Sequence, residues 1–415
     1  MKALVLGGGI IGVTTAYELL RDGWEVTVLE RLDAPAMFTS HANAGLVACG
    51  HAYTWASPSA PRIMLKSLFD SDQALRFRPS LDPALWRWTW KFLQNCSADK
   101  AARNTTRKVG LCIYSQEMLH RVVGETGVAY DGRTGGLIYF YRKPESFETG
   151  VARLHVLTDN GVKLEVLDAA GAALLDPALA PVKGQIAGAI YAPTDESGDA
   201  RIFTQALAQK CVEMGAAFKF STSVTGFDAE GDKVTAVLTD KGRETTDAVV
   251  LALGVYSPHL ARQLGADLPV YPVKGYSVTV PVAGRNNPPR LGGVDEDNLV
   301  AYCPMGDRIR ITATAEFAGY DTSHKPEDFR YMLSVAKALF PEGADYSAPT
   351  YWAGLRPMTP EGTPIFGRGR HVNLWFNTGQ GHMGWTMACG SARVTADLMA
   401  GRTPEIDLTG MRYAA

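Results

Sequence analysis

Apolar positions in the first thirty residues follow two different periods. Leu4-Val5-Leu6 is a continuous apolar run too short for a helix, and it stops at glycine. From Val13 onward, Ala16, Tyr17, Leu19 and Leu20 recur at helical spacing until Gly23 ends the turn. Glu25-Val26-Thr27-Val28-Leu29 returns to a strand pattern, closed by Glu30. The pattern predicts strand, glycine turn, helix and strand, a βαβ unit.

Carried along the chain, the same reading predicts a loop over 33–61, where Ala, Ser, Gly and Pro dominate and no period holds. A loop this long in a compact protein tends to be functional, and Ser40 and Asn43 supply short polar side chains. Helices are predicted over 83–96 and 105–127, and a strand rich in β-formers over 136–141. Strands and helices then stop alternating simply, which suggests a second lobe of mixed sheet inserted into the first. The opening pattern returns with a helix at 202–214 and short strands at 217–220, 223–227 and 234–239. The segment 247–253 is nearly all apolar and ends in Gly254, as a buried parallel strand does. Later strands are predicted at 272–282, 299–302 and 308–314, with a helix at 326–340. In 350–367, Gly354, Pro357, Pro360, Gly362 and Pro364 are expected to forbid regular structure. A last strand at 373–377 leads through a glycine loop, 378–384, into a helix over 385–399.

Chemistry enters at the glycines. Gly7, Gly9 and Gly12 stand in the order G-x-G-x-x-G between a strand and a helix, and Glu30 ends the second strand. Such glycines give a tight turn, close approach of backbone to a pyrophosphate, and close helix–strand packing. The helix N-terminus offers free N–H groups to phosphates. Glu30 is placed for ribose hydroxyls and would repel a 2′-phosphate. A plain tight loop or a secretory signal are the blander readings; the register of all four parts and the interrupting glycines oppose them. This unit alone leaves FAD and NAD open. A second glycine loop before the last helix suits a long ligand such as FAD, with phosphates at one end and ring at the other.

Length and charge narrow the classes. With 415 residues, two interleaved lobes are expected rather than one small domain. Basic and acidic residues number 41 and 43 without long runs of one sign, which argues against a nucleic-acid partner. Cys49, Cys96, Cys112, Cys211, Cys303 and Cys389 have no ligand-like spacing and read as reduced, mostly buried thiols of a cytoplasmic chain. The 8 histidines show no metal motif, so no metal is expected. No apolar run reaches the roughly 18 residues of a spanning helix, leaving only peripheral contact with the inner membrane open. Residues 85–93 carry three tryptophans with Arg87 and Lys91 beside them. Such a segment suits either a core helix, the favoured reading, or a surface resting on a bilayer.

Together VLGGGIIGV, SHANAGLV, PTDESGD, PVKGYS, GLRPMTPEGTPIFG and NTGQGHMGWTMACG resemble the bacterial flavin-dependent D-amino acid dehydrogenases of small-subunit type. These belong with the D-amino acid oxidases, glycine oxidases and sarcosine oxidases, and the resemblance spans about residues 2–405. It implies an α/β fold. A Rossmann-like FAD domain of glutathione-reductase type (1–80, 195–265 and 350–415) would be interleaved with a mixed, mainly antiparallel substrate domain (81–194 and 266–349). It places non-covalent FAD against Gly7, Gly9, Gly12, Glu30, Arg31, Ser40, Ala44, Gly45, Val224, Gly254, Gly354, Gly379, Gly381 and Gly384. Arg356 matches the arginine that clamps a substrate carboxylate, a role suited to a planar guanidinium. Where glycine oxidases carry a second basic residue, this chain has His382, which either assists or lines the ring. His51, Tyr53 and Tyr276 are further candidates to cover or hydrogen-bond the substrate. The implied reaction is oxidative deamination of a D-amino acid to a 2-oxo acid and ammonia, with electrons passed to a quinone or another acceptor. The alternative is a flavoenzyme of a secondary amino acid such as D-hydroxyproline, or of sarcosine or glycine.

Overall fold

A computed structural model describes residues 1–67, 75–284 and 286–414. Strand β1 (Lys2–Leu6) is buried from Ala3 onward and lies between two parallel neighbours, β2 (Glu25–Leu29) and Ala248–Leu251. Ala217–Lys219 extends the sheet beyond β2, and Leu374–Thr378 extends it on the other side, both in parallel. Ile365–Arg368 closes that edge antiparallel, giving six strands. Helix α1 (Ile10–Arg21) covers this sheet together with Ala200–Glu213 and Gly384–Met399, and Val5, Val13, Val28, Phe203 and Trp385 share their core. Parallel strands are covered on both faces, which is why their sequences read as apolar runs.

The second sheet has nine strands, mostly antiparallel, built around the long pair Tyr271–Pro281 and Arg308–Phe317. Thr350–Met358 is its edge strand, pairing only with Tyr271–Pro281. The expectation that 350–367 holds no regular structure is therefore wrong twice, since Ile365–Arg368 is also a strand. Proline is tolerated at a sheet edge because its missing N–H leaves no inner ladder bond unmade. Pro357 sits there opposite Pro272.

Two helices differ from their patterns for readable reasons. The long one begins at Ala98, seven residues earlier than expected, and runs to Thr126. Its first turns bury no side chain before Asn104, so no apolar period marks them; the Oγ of Ser97 accepts from the Lys100 N–H and starts the helix. Gly127, in the left-handed region, ends it. In Pro83–Gln94, Leu85, Trp88 and Phe92 enter a core under the large sheet, while Trp86 and Trp90 are 49% and 65% exposed. The segment is thus core on one face and exposed aromatic surface on the other. All six cysteines are buried and unpaired. Among the described residues no helix is long and apolar enough to cross a membrane, and no His, Cys, Asp and Glu cluster offers a metal site.

The end of α1 is tied to the last helix by charge. Arg393 donates to Glu18 at 2.7 Å, Asp22 at 2.8 Å and Asp397 at 2.9 Å, and Glu18 is almost wholly buried. Burial raises the Asp22 carboxyl, but hydrogen bonds from Arg393 and Arg402 outweigh it and hold the group below its ordinary 3.8. A depressed carboxylate contributes stability that is complete above its unfolded value and lost as pH falls through the folded one. Arg393→Met should lower the unfolding free energy by about 1–3 kcal/mol at pH 7, because Glu18, Asp22 and Asp397 each lose a charge-assisted hydrogen bond while Arg121 and Arg402 still pair with them. Urea unfolding should show the deficit shrinking as pH falls below 3.8 and Asp22 protonates.

Candidate active site

A cavity of about 620 Å³ runs from the C-terminal end of β1 to the inner face of the nine-stranded sheet. Ligands of open parallel sheets bind at that end of the strands. Gly7 turns the chain out of β1 with φ +107°, a conformation that L side chains avoid. A Cβ on Gly12 would stand 1.8 Å from the Gly7 carbonyl oxygen, so α1 starts this close to β1 only because glycine is there. Gly9 caps α1 with no side-chain hydrogen bond, which leaves the helix N-terminus facing the cavity. The Glu30 carboxylate bridges the turn, accepting from the Gly8 N–H at 2.6 Å and the Leu32 N–H at 2.9 Å. Arg31 stacks its guanidinium 4.1 Å over the Tyr256 ring.

Of the expected cofactor residues, Gly7, Gly9, Glu30, Arg31, Ser40, Ala44, Val224, Gly254, Gly354, Gly381 and Gly384 line the cavity. Gly12, Gly45 and Gly379 stand behind its wall. Ser40 has a job of its own: its Oγ accepts from the Ile10 N–H in the first turn of α1.

At the other end lies Arg356. Its Nη1 donates to the carbonyls of Lys274 at 3.2 Å and Thr314 at 3.1 Å, and among the described residues no carboxylate pairs with it. The guanidinium occupies the place where Gly275 lacks a Cβ; one built there would be 2.5 Å away. Burial lowers its pKa to about 10, which leaves it charged at neutral pH. It lies 5.9 Å from the centre of the Trp55 ring, and His382 stacks on that ring at 4.9 Å. Burial, then the positive surroundings of Lys108, His51 and Arg356, push the His382 imidazole far down, so it is neutral.

The remaining candidates separate. His51 lines the cavity and holds its Nε2 2.9 Å from Glu296. The Tyr276 ring also lines it, but the hydroxyl is turned to Glu316, which Arg78 pairs with at 2.6 Å. The Tyr53 hydroxyl donates to the Arg153 carbonyl at 3.2 Å, and Tyr53 is not part of the lining. Trp55, Trp352 and Gly275 also line the cavity without having been singled out from sequence. Trp55 sits in an irregular loop with no local signal, whereas the placing of Gly275 in PVKGYS was the one available hint.

A cavity that joins a glycine turn and a helix N-terminus at one end to a carboxylate-free guanidinium at the other has the plan of a flavin-linked oxidoreductase. The chain belongs to the DAO family of FAD dependent oxidoreductases, whose model matches residues 2–398. It is 45% identical over 414 residues to D-amino acid dehydrogenase 2 of Mesorhizobium japonicum, covering 100% of both chains. It is 44% identical to D-amino acid dehydrogenase of Granulibacter bethesdensis, again over 100% of both. Its fold is that of glycine oxidase from Geobacillus kaustophilus, with TM-score 0.78 and 22% identity over 99% of this chain and 98% of that one. L-proline dehydrogenase from P. horikoshii shares the fold at TM-score 0.74 and 20% identity, over 97% and 94%. The cofactor is FAD, and the glycine turn, the helix N-terminus facing the cavity and Glu30 fit its adenosine diphosphate half.

Gly12→Ala should weaken FAD binding about tenfold or more, since overpacking costs about 1–3 kcal/mol and forces the turn open. The ratio of flavin to protein absorbance after dialysis reads this directly.

Proposed function

We propose that this protein catalyses FAD-dependent oxidative deamination of D-amino acids to 2-oxo acids and ammonia. The observation that carries this reading is the half-buried, carboxylate-free guanidinium of Arg356 at the far end of the FAD cavity. Burying a charge without a partner is expensive, and a substrate carboxylate removes the penalty by pairing in a bidentate, charge-assisted contact. The full-length relatives named D-amino acid dehydrogenase support the same substrate class. FAD, when bound, supplies the two-electron acceptor for the Cα hydride.

The chain's own residues act by placement. Arg356 fixes the carboxylate, so the Cα–H has one direction to face, and orientation supplies much of the rate. Trp55, Trp352 and the neutral His382 wall the substrate and keep water from competing for the guanidinium. Tyr276 contributes its ring, with its hydroxyl committed elsewhere. In this reading the FAD-holding segments are 1–80, 195–265 and 350–415 and the substrate segments 81–194 and 266–349, Arg356 reaching the latter through its edge strand.

The electrons go on to a quinone or another acceptor. A route to a membrane-borne acceptor is supported by the exposed face of Pro83–Gln94, where Trp86, Trp90 and Leu93 stand beside Arg87. Indole rings with basic neighbours rest well at a headgroup interface.

Anaerobic bleaching of the flavin by a panel of amino acids tests the function. D-alanine should bleach it and L-alanine should not; bleaching by D-hydroxyproline or sarcosine alone would replace the reading with a secondary-amine one. Arg356→Ala should lower kcat/KM for D-alanine by about 10²–10³-fold while retaining FAD. In sedimentation with phosphatidylglycerol vesicles, the Trp86→Ser, Trp90→Ser double variant should lose the bound fraction of the unsubstituted protein; no bound fraction in either would remove the membrane route.

A further inference from the structure

Hydride leaves Cα readily only when the substrate nitrogen has a free lone pair, yet amino acids arrive as zwitterions. Once Arg356 neutralises the carboxylate, the ammonium is an unpaired cation in a mostly apolar cavity. Among the described residues the only carboxylate in the lining is Glu30, at the nucleotide end. His259, another lining base, packs on Tyr256, the ring beneath Arg31, at that same end. Two lining histidines remain: His382, whose charge state feels Arg356, and His51, which is close enough to act on His382.

They are built differently. His382 is stacked on Trp55 with positive groups around it and no acidic partner. His51 has its Nε2 2.9 Å from Glu296 Oε1, which leaves Nδ1 as the nitrogen with an available lone pair. Its ring is stacked on Tyr139 at 5.2 Å, and the turn carrying it is held from behind. The Gly50 N–H donates to both Asp195 oxygens at 3.0 Å, and the Tyr139 hydroxyl donates to Asp195 at 2.6 Å. Asp195 is fully buried and, with Tyr139, acts as a positioning group for the histidine turn.

We propose that His51, backed by Glu296, takes the proton from the substrate ammonium before hydride transfer. One N–H bond of the ammonium breaks and an Nδ1–H bond forms. The electron pair stays on the substrate nitrogen, and the imidazolium produced is paired with the Glu296 carboxylate. The inference rests on the amino acid reading of the cavity.

The electrostatic surroundings agree. Burial works against a charged His51, but the charge and hydrogen bond of Glu296 together outweigh it and raise the imidazole above 6.5. Lys108 opposes protonation and Asp195 favours it. Lys108 is itself lowered to about 8 by burial, and Asp195 is pushed up to about 7, chiefly by burial. A group that must be neutral to accept a proton supports turnover above its pKa and loses it as pH falls through that value.

The test is anaerobic flavin reduction by D-alanine from pH 5.5 to 10.5 in the FAD-loaded protein, His51→Gln and Glu296→Gln. Binding of 2-aminoisobutyrate, which lacks a Cα–H, is followed by the flavin spectrum as a separate readout of an intact site. In His51→Gln the second-order rate should fall about 10²-fold at pH 7. Its acid limb should move to the alkaline range where the free ammonium loses its own proton, and there it should converge on the unsubstituted rate. Glu296→Gln should move the limb the opposite way, to lower pH, because the imidazole loses its supporting charge. A loss by the same factor at every pH, or unchanged limbs, with 2-aminoisobutyrate still bound, would overturn the proposal. Absence of bleaching by any D-amino acid in the unsubstituted protein would instead overturn the reading on which it rests.

Discussion

A half-buried guanidinium without a carboxylate of its own is the constraint around which the larger sheet is arranged. Leaving such a group buried costs several kcal/mol unless its N–H groups find acceptors. Arg356 finds two, the carbonyls of Lys274 and Thr314, which belong to two successive neighbouring strands. It also needs room, which comes from the absent side chain of Gly275, and the face of Trp55 nearby. Each requirement is met only if Tyr271–Pro281 and Thr350–Met358 pair in one register, with Val273 opposite Arg356 and Gly275 opposite Gly354. A slip of one residue would turn the arginine to the other face. The site is preformed because the sheet admits no other way to satisfy it.

The nucleotide lobe solves the reverse problem. There the ligand carries the negative charge and the protein offers N–H groups and a helix end, so closeness of backbone matters more than side chains. Gly12 lets α1 start against the Gly7 carbonyl, and Arg393 with Glu18 and Asp22 locks the far end of the same helix to the last one. A short helix held at both ends has little freedom to tilt away from a pyrophosphate. Between the lobes, two histidines in one cavity are driven to opposite protonation tendencies by their neighbours. His382 meets positive groups, whereas His51 meets Glu296.

Reading from sequence succeeded where the cause of a structure lies within a few residues of it. The unit 2–30 was legible because a strand, a turn, a helix and a cap each leave a mark in adjacent positions. The start of the long helix at Ala98 was not, since its first turns lie in solvent and carry no period. Thr350–Met358 was misread because proline and glycine usually break strands, and only its place at a sheet edge lifts that rule. The tryptophan helix was expected to be core, and that holds for one face only: Trp88 is buried, whereas Trp86 and Trp90 are exposed.

For the site the same division holds. Gly7, Gly9, Gly12 and Glu30 declare a dinucleotide from their spacing, and the loops around residues 40–45 and 378–384 extend it to FAD through resemblance. The sequence by itself thus determined the cofactor, the two-lobed α/β plan and the arginine to watch. Only the tertiary structure decided which groups share a cavity: that Trp55 lies by Arg356, that Tyr53 faces away, that Glu296 answers His51 and that Asp195 stands behind them. Their separations along the chain run from about one hundred to three hundred residues. No periodicity reaches that far, because such pairs are brought together by sheet register and lobe packing rather than by the local geometry of the backbone.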